Sequence, residues 1–185
     1  MASMKSLLSL LHESKDRCLF KNDHIEVLEK DGWYTYTRHN NGNGAVAVLG
    51  FVKKPQLLIL GRFEETIPHD DGITLASLTG GVEEGEEFEA AATREFKEES
   101  GFDVDKEDLV KLGAIRPSKS SDQAVQLFAV ELIDADPEKT HRGGGDGTRG
   151  EKNAFCRFVS AEDAINSKDP ILITMVARLL SVQKK

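Results

Sequence analysis

The chain reads as an α+β protein: runs of strands, interrupted by one carboxylate-rich helix and followed by further helical sequence. Three observations carry this reading. Ala45 to Val52 (AVAVLGFV) is a continuous apolar run, the pattern of a strand buried on both faces. The stretch from Glu86 to Ser100 carries apolar residues at helical spacing and stops at Gly101, a residue suited to the left-handed end of a helix. Asp169-Pro170 opens a last apolar stretch, and proline fits the first helical position.

The remaining elements follow in order. Residues 3–15 predict a short helix, with Leu7, Leu8, Leu10 and Leu11 recurring at helical spacing. His24 to Lys30 and Trp33 to Arg38 predict a β-hairpin turning at Asp31-Gly32. The tract Asn40-Asn41-Gly42-Asn43-Gly44 is a turn or short linker, dividing an N-terminal element at residues 1–40 from a main domain at residues 41–185. After the apolar strand, Lys53-Lys54-Pro55-Gln56 turns the chain into a strand at Leu57 to Leu60. Phe63 to Gly72 is polar and acidic and reads as a loop, and Ile73 to Leu78 as a short strand. Leu109 to Arg116 and Ala124 to Ile133 are further strands. Asp134 to Gly150 is a long loop containing Gly143-Gly144-Gly145-Asp146-Gly147. Ala154 to Val159 is the last strand, and Ser160 with Asp163 forms a capping box that starts a short helix.

The glutamates of the first helix carry the chemistry. At roughly 100° per residue, Phe88, Ala91 and Ala92 form a stripe that faces the core. Glu95 and Glu99 continue that stripe and Glu98 flanks it, while Glu89, Thr93, Arg94 and Lys97 take the solvated side. Inward carboxylates need a cationic partner, because an unpaired buried charge is costly. They also sit near the negative end of the helix dipole, and they repel one another. A hard divalent cation with oxygen ligands resolves all three problems. The plainer alternative is a surface helix rich in glutamate, and the stripe geometry argues against it.

The same segment, GGVEEGEEFEAAATREFKEESGF from Gly80 to Phe102, matches every defined position of the Nudix box. These positions are Gly80, Glu86, Arg94-Glu95, bulky Phe96, Glu98-Glu99, Gly101 and bulky Phe102. The chain therefore resembles the Nudix hydrolases, strongly over the box and more weakly from about residue 24 to 180. The resemblance implies an α/β/α sandwich with a mixed β-sheet, here with an N-terminal β-hairpin extension. It also implies hydrolysis of a nucleoside diphosphate linked to another group, using magnesium, with manganese as the alternative. Carried over by position, Glu95 and Glu99 are the main metal ligands, Glu98 is a ligand or the base, and the Thr79 carbonyl also binds metal. Glu86 and Arg94 orient the cluster through an ion pair, and Gly80 and Gly81 let the backbone come close.

Three features resemble the branch acting on ADP-ribose and nucleotide sugars. Pro117 lies 15 residues past Phe102. The N-terminal hairpin resembles the strands through which that branch forms exchanged homodimers, where Arg38 reaches the partner's nucleotide. Arg62 stands where such relatives carry a phosphate-contacting arginine. A glutamate on the late mobile loop, here Glu151, handles the attacking water in that branch, so the general base is Glu98 or Glu151. One departure weighs against ADP-ribose itself: Ala76-Ser77-Leu78-Thr79-Gly80 stands where many such hydrolases carry Glu-Leu-Pro-Ala-Gly.

Composition narrows the alternatives. With 185 residues and 39% apolar content, one domain with a small extra element can bury a good core. A net charge of -8 argues against a general nucleic-acid binder. Cys18 and Cys156 form no disulfide framework or zinc pattern. No stretch is suited to span a membrane, and the N-terminus has too short an apolar run for a signal peptide. The expected setting is the cytoplasm, with a transit peptide as the alternative. The acidic loop carrying Glu64, Glu65, Asp70 and Asp71 reads as solvated. Competing functions are clean-up of modified nucleoside triphosphates, and a nucleotide sensor without catalysis, though sensors often lose box carboxylates and all are present here.

Overall fold

Every residue of the run Ala45–Val52 is buried in a strand, and this strand is the middle of the larger of two sheets. The computed structural model describes residues 16–39, 44–65, 72–144 and 153–182. The helix expected at residues 3–15 and the candidate Glu151 lie outside them. The strands are β1 Arg17–Lys21, β2 Ile25–Lys30, β3 Tyr34–His39, β4 Ala45–Val52, β5 Leu58–Glu65, β6 Ile73–Ala76, β7 Leu78–Gly81, β8 Val110–Ile115, β9 Val125–Glu131 and β10 Phe155–Ser160. The helices are α1 Phe88–Ser100, α2 Ala161–Ile165 and α3 Pro170–Val182. Among the described residues no helix is long and apolar enough to cross a membrane.

The chain divides into two compact units, Met1–Gly42 with Arg116–Gln123, and Asn43–Ile115 with Ala124–Lys185. In the first, the expected hairpin forms between β2 and β3 and turns at Asp31 and Gly32, both at positive φ. A third strand, β1, pairs antiparallel with β2. The sequence gives no sign of it, because all five of its residues are exposed and no face alternates. Residues 116–123 lie along β3: Thr37 N–H donates to the Ser120 carbonyl at 2.8 Å, and His39 N–H donates to Asp122 at 3.0 Å.

The second unit holds the order β10-β5-β4-β9-β8, with β6 beside β5 and β7 beside β4. β4 and β9 run parallel, while the other pairs are antiparallel, so the sheet is mixed. Alternation explains why β4 is buried throughout. Ala45, Ala47, Leu49 and Phe51 pack with Leu172, Met175, Val176 and Leu179 of α3. Val46, Val48 and Val52 pack on the opposite face with Ala91, Ala92 and Phe96 of α1. Helices on both faces of a mixed sheet make the expected α/β/α sandwich.

Three expectations need correction. The strand expected at Leu57 to Leu60 continues to Glu65, because Phe63, Glu64 and Glu65, read as loop, pair with Leu75, Thr74 and Ile73. The strand expected at Ile73 to Leu78 is two strands. β5 and β4 pair only at Ile59–Phe51 and Leu58–Val52, then diverge; β6 follows β5 and β7 follows β4, with the break at Ser77. Lastly, Phe88 is 42% exposed whereas Phe96 is fully buried, so the apolar stripe of α1 runs through Ala91, Ala92 and Phe96. The stop at Gly101 is as expected: φ is 82° and its N–H donates to the Lys97 carbonyl.

One carboxylate ties the strand break to a helix start. Asp169 Oδ2 accepts from both the N–H and the hydroxyl of Ser77, each at 2.7 Å. Its Oδ1 accepts from Ile171 N–H at 2.7 Å and Leu172 N–H at 3.2 Å, capping α3. Asp169→Ala removes the cap and leaves Ser77, which is 5% exposed, short of an acceptor. A loss of about 2–3 kcal/mol is expected, seen as a fall in melting temperature of roughly 4–12 °C. A change below a degree would show that the tie carries no stability.

Candidate active site

Divergence of β4 and β5 makes room for β7, whose Thr79, Gly80 and Gly81 pair with Ala47, Val46 and Ala45 of β4. Helix α1 packs against this strand, and the contact is closest at Gly80. A Cβ placed on Gly80 would lie 1.9 Å from Cδ of Glu95. Only glycine leaves space there for that carboxyl group, so the backbone and the helix approach closely at Gly80, whereas a Cβ on Gly81 would meet nothing within 4 Å and the close approach expected there is not found.

Arg94 gathers the first part of the cluster. Its Nε donates to Glu86 at 3.0 Å and its Nη2 at 2.9 Å. Nη2 also donates to the Gly81 carbonyl at 3.0 Å, and Nη1 to Glu95 at 2.7 Å. Glu86 in turn accepts from Glu83 N–H at 2.9 Å. These bonds fold Arg94 back over the loop that precedes the helix. It is therefore half-buried, like Glu89 and Thr93, and of the side expected to be solvated only Lys97 is exposed. The hydrogen bonds from Arg94 hold Glu86 below the usual carboxylate range. Burial acts the other way on Glu95 and holds its carboxyl above that range, against the pull of Arg94. Glu98 is the most open of the three box carboxylates, with its side chain 47% exposed and 3.6 Å from Arg94.

Glu99 turns inward and meets Arg62. Its carboxylate lies 3.1 Å from Arg62 Nη1, with the two side chains 8% and 3% exposed. Arg62 Nε also donates to Glu64 at 2.6 Å. Burial works to lower the Arg62 pKa, but the Glu99 charge and the Glu64 hydrogen bond leave it raised. The thiol of Cys156, beside the same group, is pushed up to about 12 by burial. Glu99 is also held by its backbone: its carbonyl accepts from Gly143 N–H at 3.2 Å and from the Cys156 thiol at 3.7 Å.

The candidate residues thus fall into groups. Thr79, Gly80, Gly81, Glu86, Arg94, Glu95, Glu98, Glu99 and Gly101 lie on or beside α1, and Arg62 reaches Glu99. Arg38 and Pro117 lie in the first unit. Arg38 is engaged there by Glu26 at 3.4 Å and Asp16 at 3.6 Å, and Pro117 is exposed. The sequence reading passed over the Arg62–Glu99 pair and the role of Glu64. A signal was present: Arg62 interrupts an apolar strand, and Glu64 stands two residues on, on the same face.

Carboxylates with a neighbouring main-chain carbonyl form an oxygen donor set that suits a hard divalent ion. The space at Gly80 fits this, since it lets Glu95 lie against β7. Among the described residues, no three His, Cys, Asp or Glu side chains converge on one point. Glu95 is turned to Arg94 and Glu99 to Arg62, so the donor chemistry fits a metal while two arginines occupy the carboxylates.

No curated protein shows a significant match to the sequence. Among solved structures, the chain is similar to one described as the crystal structure of an ADP compounds hydrolase. The TM-score is 0.64 at 16% identity, covering 91% of this chain and 91% of that one; at this identity the likeness speaks for the fold. The family profile described as the NUDIX domain matches residues 43–179, well over half of the chain and all of the carboxylate cluster. On that match, with the sandwich and the box helix in place, the chain belongs to the Nudix family of hydrolases.

Proposed function

We propose that this Nudix hydrolase cleaves the pyrophosphate bond of ADP-ribose or another nucleoside diphosphate sugar, giving a nucleoside monophosphate and a sugar phosphate. The observation that carries the hydrolytic reading is the full carboxylate set on α1, with Glu95 and Glu99 turned inward and Glu86 bound to Arg94. The substrate class rests on the branch features at Arg38 and Pro117, and the similar fold of a protein described as ADP compounds hydrolase supports it. Nudix enzymes generally use divalent metals, and we take the ion here to be magnesium, with manganese as a substitute.

Glu95, Glu99 and the Thr79 carbonyl would hold the metal. An ion held by these residues would supply neutralisation of phosphate charge and activation of water. Arg94 fixes the direction of the Glu95 carboxylate, and Glu86 fixes Arg94. Glu98, open to solvent, accepts the proton of the attacking water or completes the ligand set. Glu151 is the other candidate for that proton. The net charge of -8 disfavours nucleic acid as substrate. Cys18 and Cys156 are free thiols, in keeping with a cytoplasmic setting.

The same reading makes the chain a homodimer through the first unit. In support, Leu28 is the buried apolar side chain among that unit's described residues, while Leu19, Phe20 and Trp33 are 45%, 53% and 77% exposed. Covering these exposed apolar side chains would add stability to a small sheet.

Two sets of experiments test these statements. Glu99→Gln should leave the protein folded but reduce magnesium-dependent hydrolysis of ADP-ribose by several powers of ten. Glu98→Gln and Glu151→Gln distinguish the base, which should lose ~10²-fold or more in turnover. Product analysis separates sugar-nucleotide cleavage from triphosphate clean-up. Near-normal turnover in Glu99→Gln would overturn the site. For the dimer, Leu19→Asp with Phe20→Asp should halve the mass measured by light scattering; a wild type that is already monomeric, or a variant of unchanged dimer mass, would contradict it.

A further inference from the structure

Arg62 stands where a phosphate-binding arginine was expected, yet its surroundings suit another task. Its side chain is 3% exposed and engages a carboxylate with each of two guanidinium nitrogens, Glu64 at 2.6 Å and Glu99 at 3.1 Å. Glu99 is 8% exposed, so water supplies little of the stabilisation its charge needs. It also sits in the last turn of α1, where the helix dipole disfavours an anion. A neighbouring cation is required for Glu99 to lie inward at all, and the guanidinium supplies it.

The backbones on both sides are fixed. Arg62 lies in β5, paired with Cys156 of β10 on one edge and with Ala76 of β6 on the other. Glu99 is held through its carbonyl by Gly143 and Cys156. Exchange of partners at Glu99 is therefore a matter of side chains alone. Glu64 is half-exposed, with 29% of its side chain open, and remains on the guanidinium when Glu99 turns to another cation.

We infer that Arg62 is the resident counter-ion of Glu99: it holds this carboxylate inward in the metal-free protein and yields it to a divalent cation, while Glu64 retains the arginine. Arg62 is then a positioning residue that competes with the metal. This rests on the proposed metal role of Glu99.

The test needs no substrate. Protein stripped with chelator is melted in the absence and presence of graded magnesium or manganese, comparing wild type, Arg62→Met, Arg62→Lys and Glu99→Gln. Arg62→Met should melt lower than wild type without metal, gain more from added metal, and reach half its gain at a roughly tenfold lower ion concentration, equal to about 1.4 kcal/mol. Arg62→Lys should restore most of the metal-free stability, and Glu99→Gln should abolish most of the metal-induced gain. If Arg62→Met fails to fold, Glu64→Gln serves instead: the arginine, with its hold on Glu64 weakened, should hold Glu99 harder and raise the half-effect concentration. Equal metal dependence in wild type and Arg62→Met, or in wild type and Glu64→Gln, overturns the inference and leaves the proposed function standing. A wild type with no metal-induced gain overturns both.

Discussion

Burial of negative charge on α1 is the constraint around which the site is arranged. Glu95 and Glu99 lie inward on the last turns of a helix whose dipole opposes them. Each is met by an arginine from a different place in the chain: Arg94 from α1 itself, and Arg62 from the sheet. Removing one partner of a buried ion pair is more damaging than the pair is stabilising. The local structure follows from this need. Arg94 folds back onto Glu86 and the Gly81 carbonyl, and β5 carries a charged residue in the middle of the molecule.

The sheet supplies the frame. Because β4 is buried on both faces, α1 and α3 lie on opposite sides of it. The divergence of β4 from β5 places β7 beneath α1 and brings Gly80 against Glu95. Asp169 then links the strand break at Ser77 to the start of α3. A single acidic side chain thus ties the strand that leads into the cluster to the helix on one face of the sheet.

Much of this was legible in the sequence where the cause is local. The stop at Gly101 needs only a left-handed residue after a helical run. The strand at Ala45–Val52 needs only a continuous apolar stretch, and the box spacing announced the family and the sandwich. What escaped depends on residues distant in sequence. β1 has no core face to betray it. The break at Ser77 follows from two neighbouring strands parting, which no short window records. Phe88 was assigned to the core from periodicity, yet Phe96 fills that place, because the apolar arc is set by which side of α1 meets β4. Arg62 lies beyond the strand expected at Leu57 to Leu60, and its partner Glu99 is 37 positions away, so the pair becomes visible only in three dimensions.

Direct observation of the metal on α1 tests the central claim. Manganese binding followed by electron paramagnetic resonance in the absence of substrate reports free and bound ion separately. Wild-type protein should bind manganese with magnesium as a competitor, and Glu95→Gln, which keeps the shape of the side chain against Gly80, should lose that binding while remaining folded. Manganese binding of equal stoichiometry and affinity in Glu95→Gln would contradict the assignment of this helix as the metal-holding element.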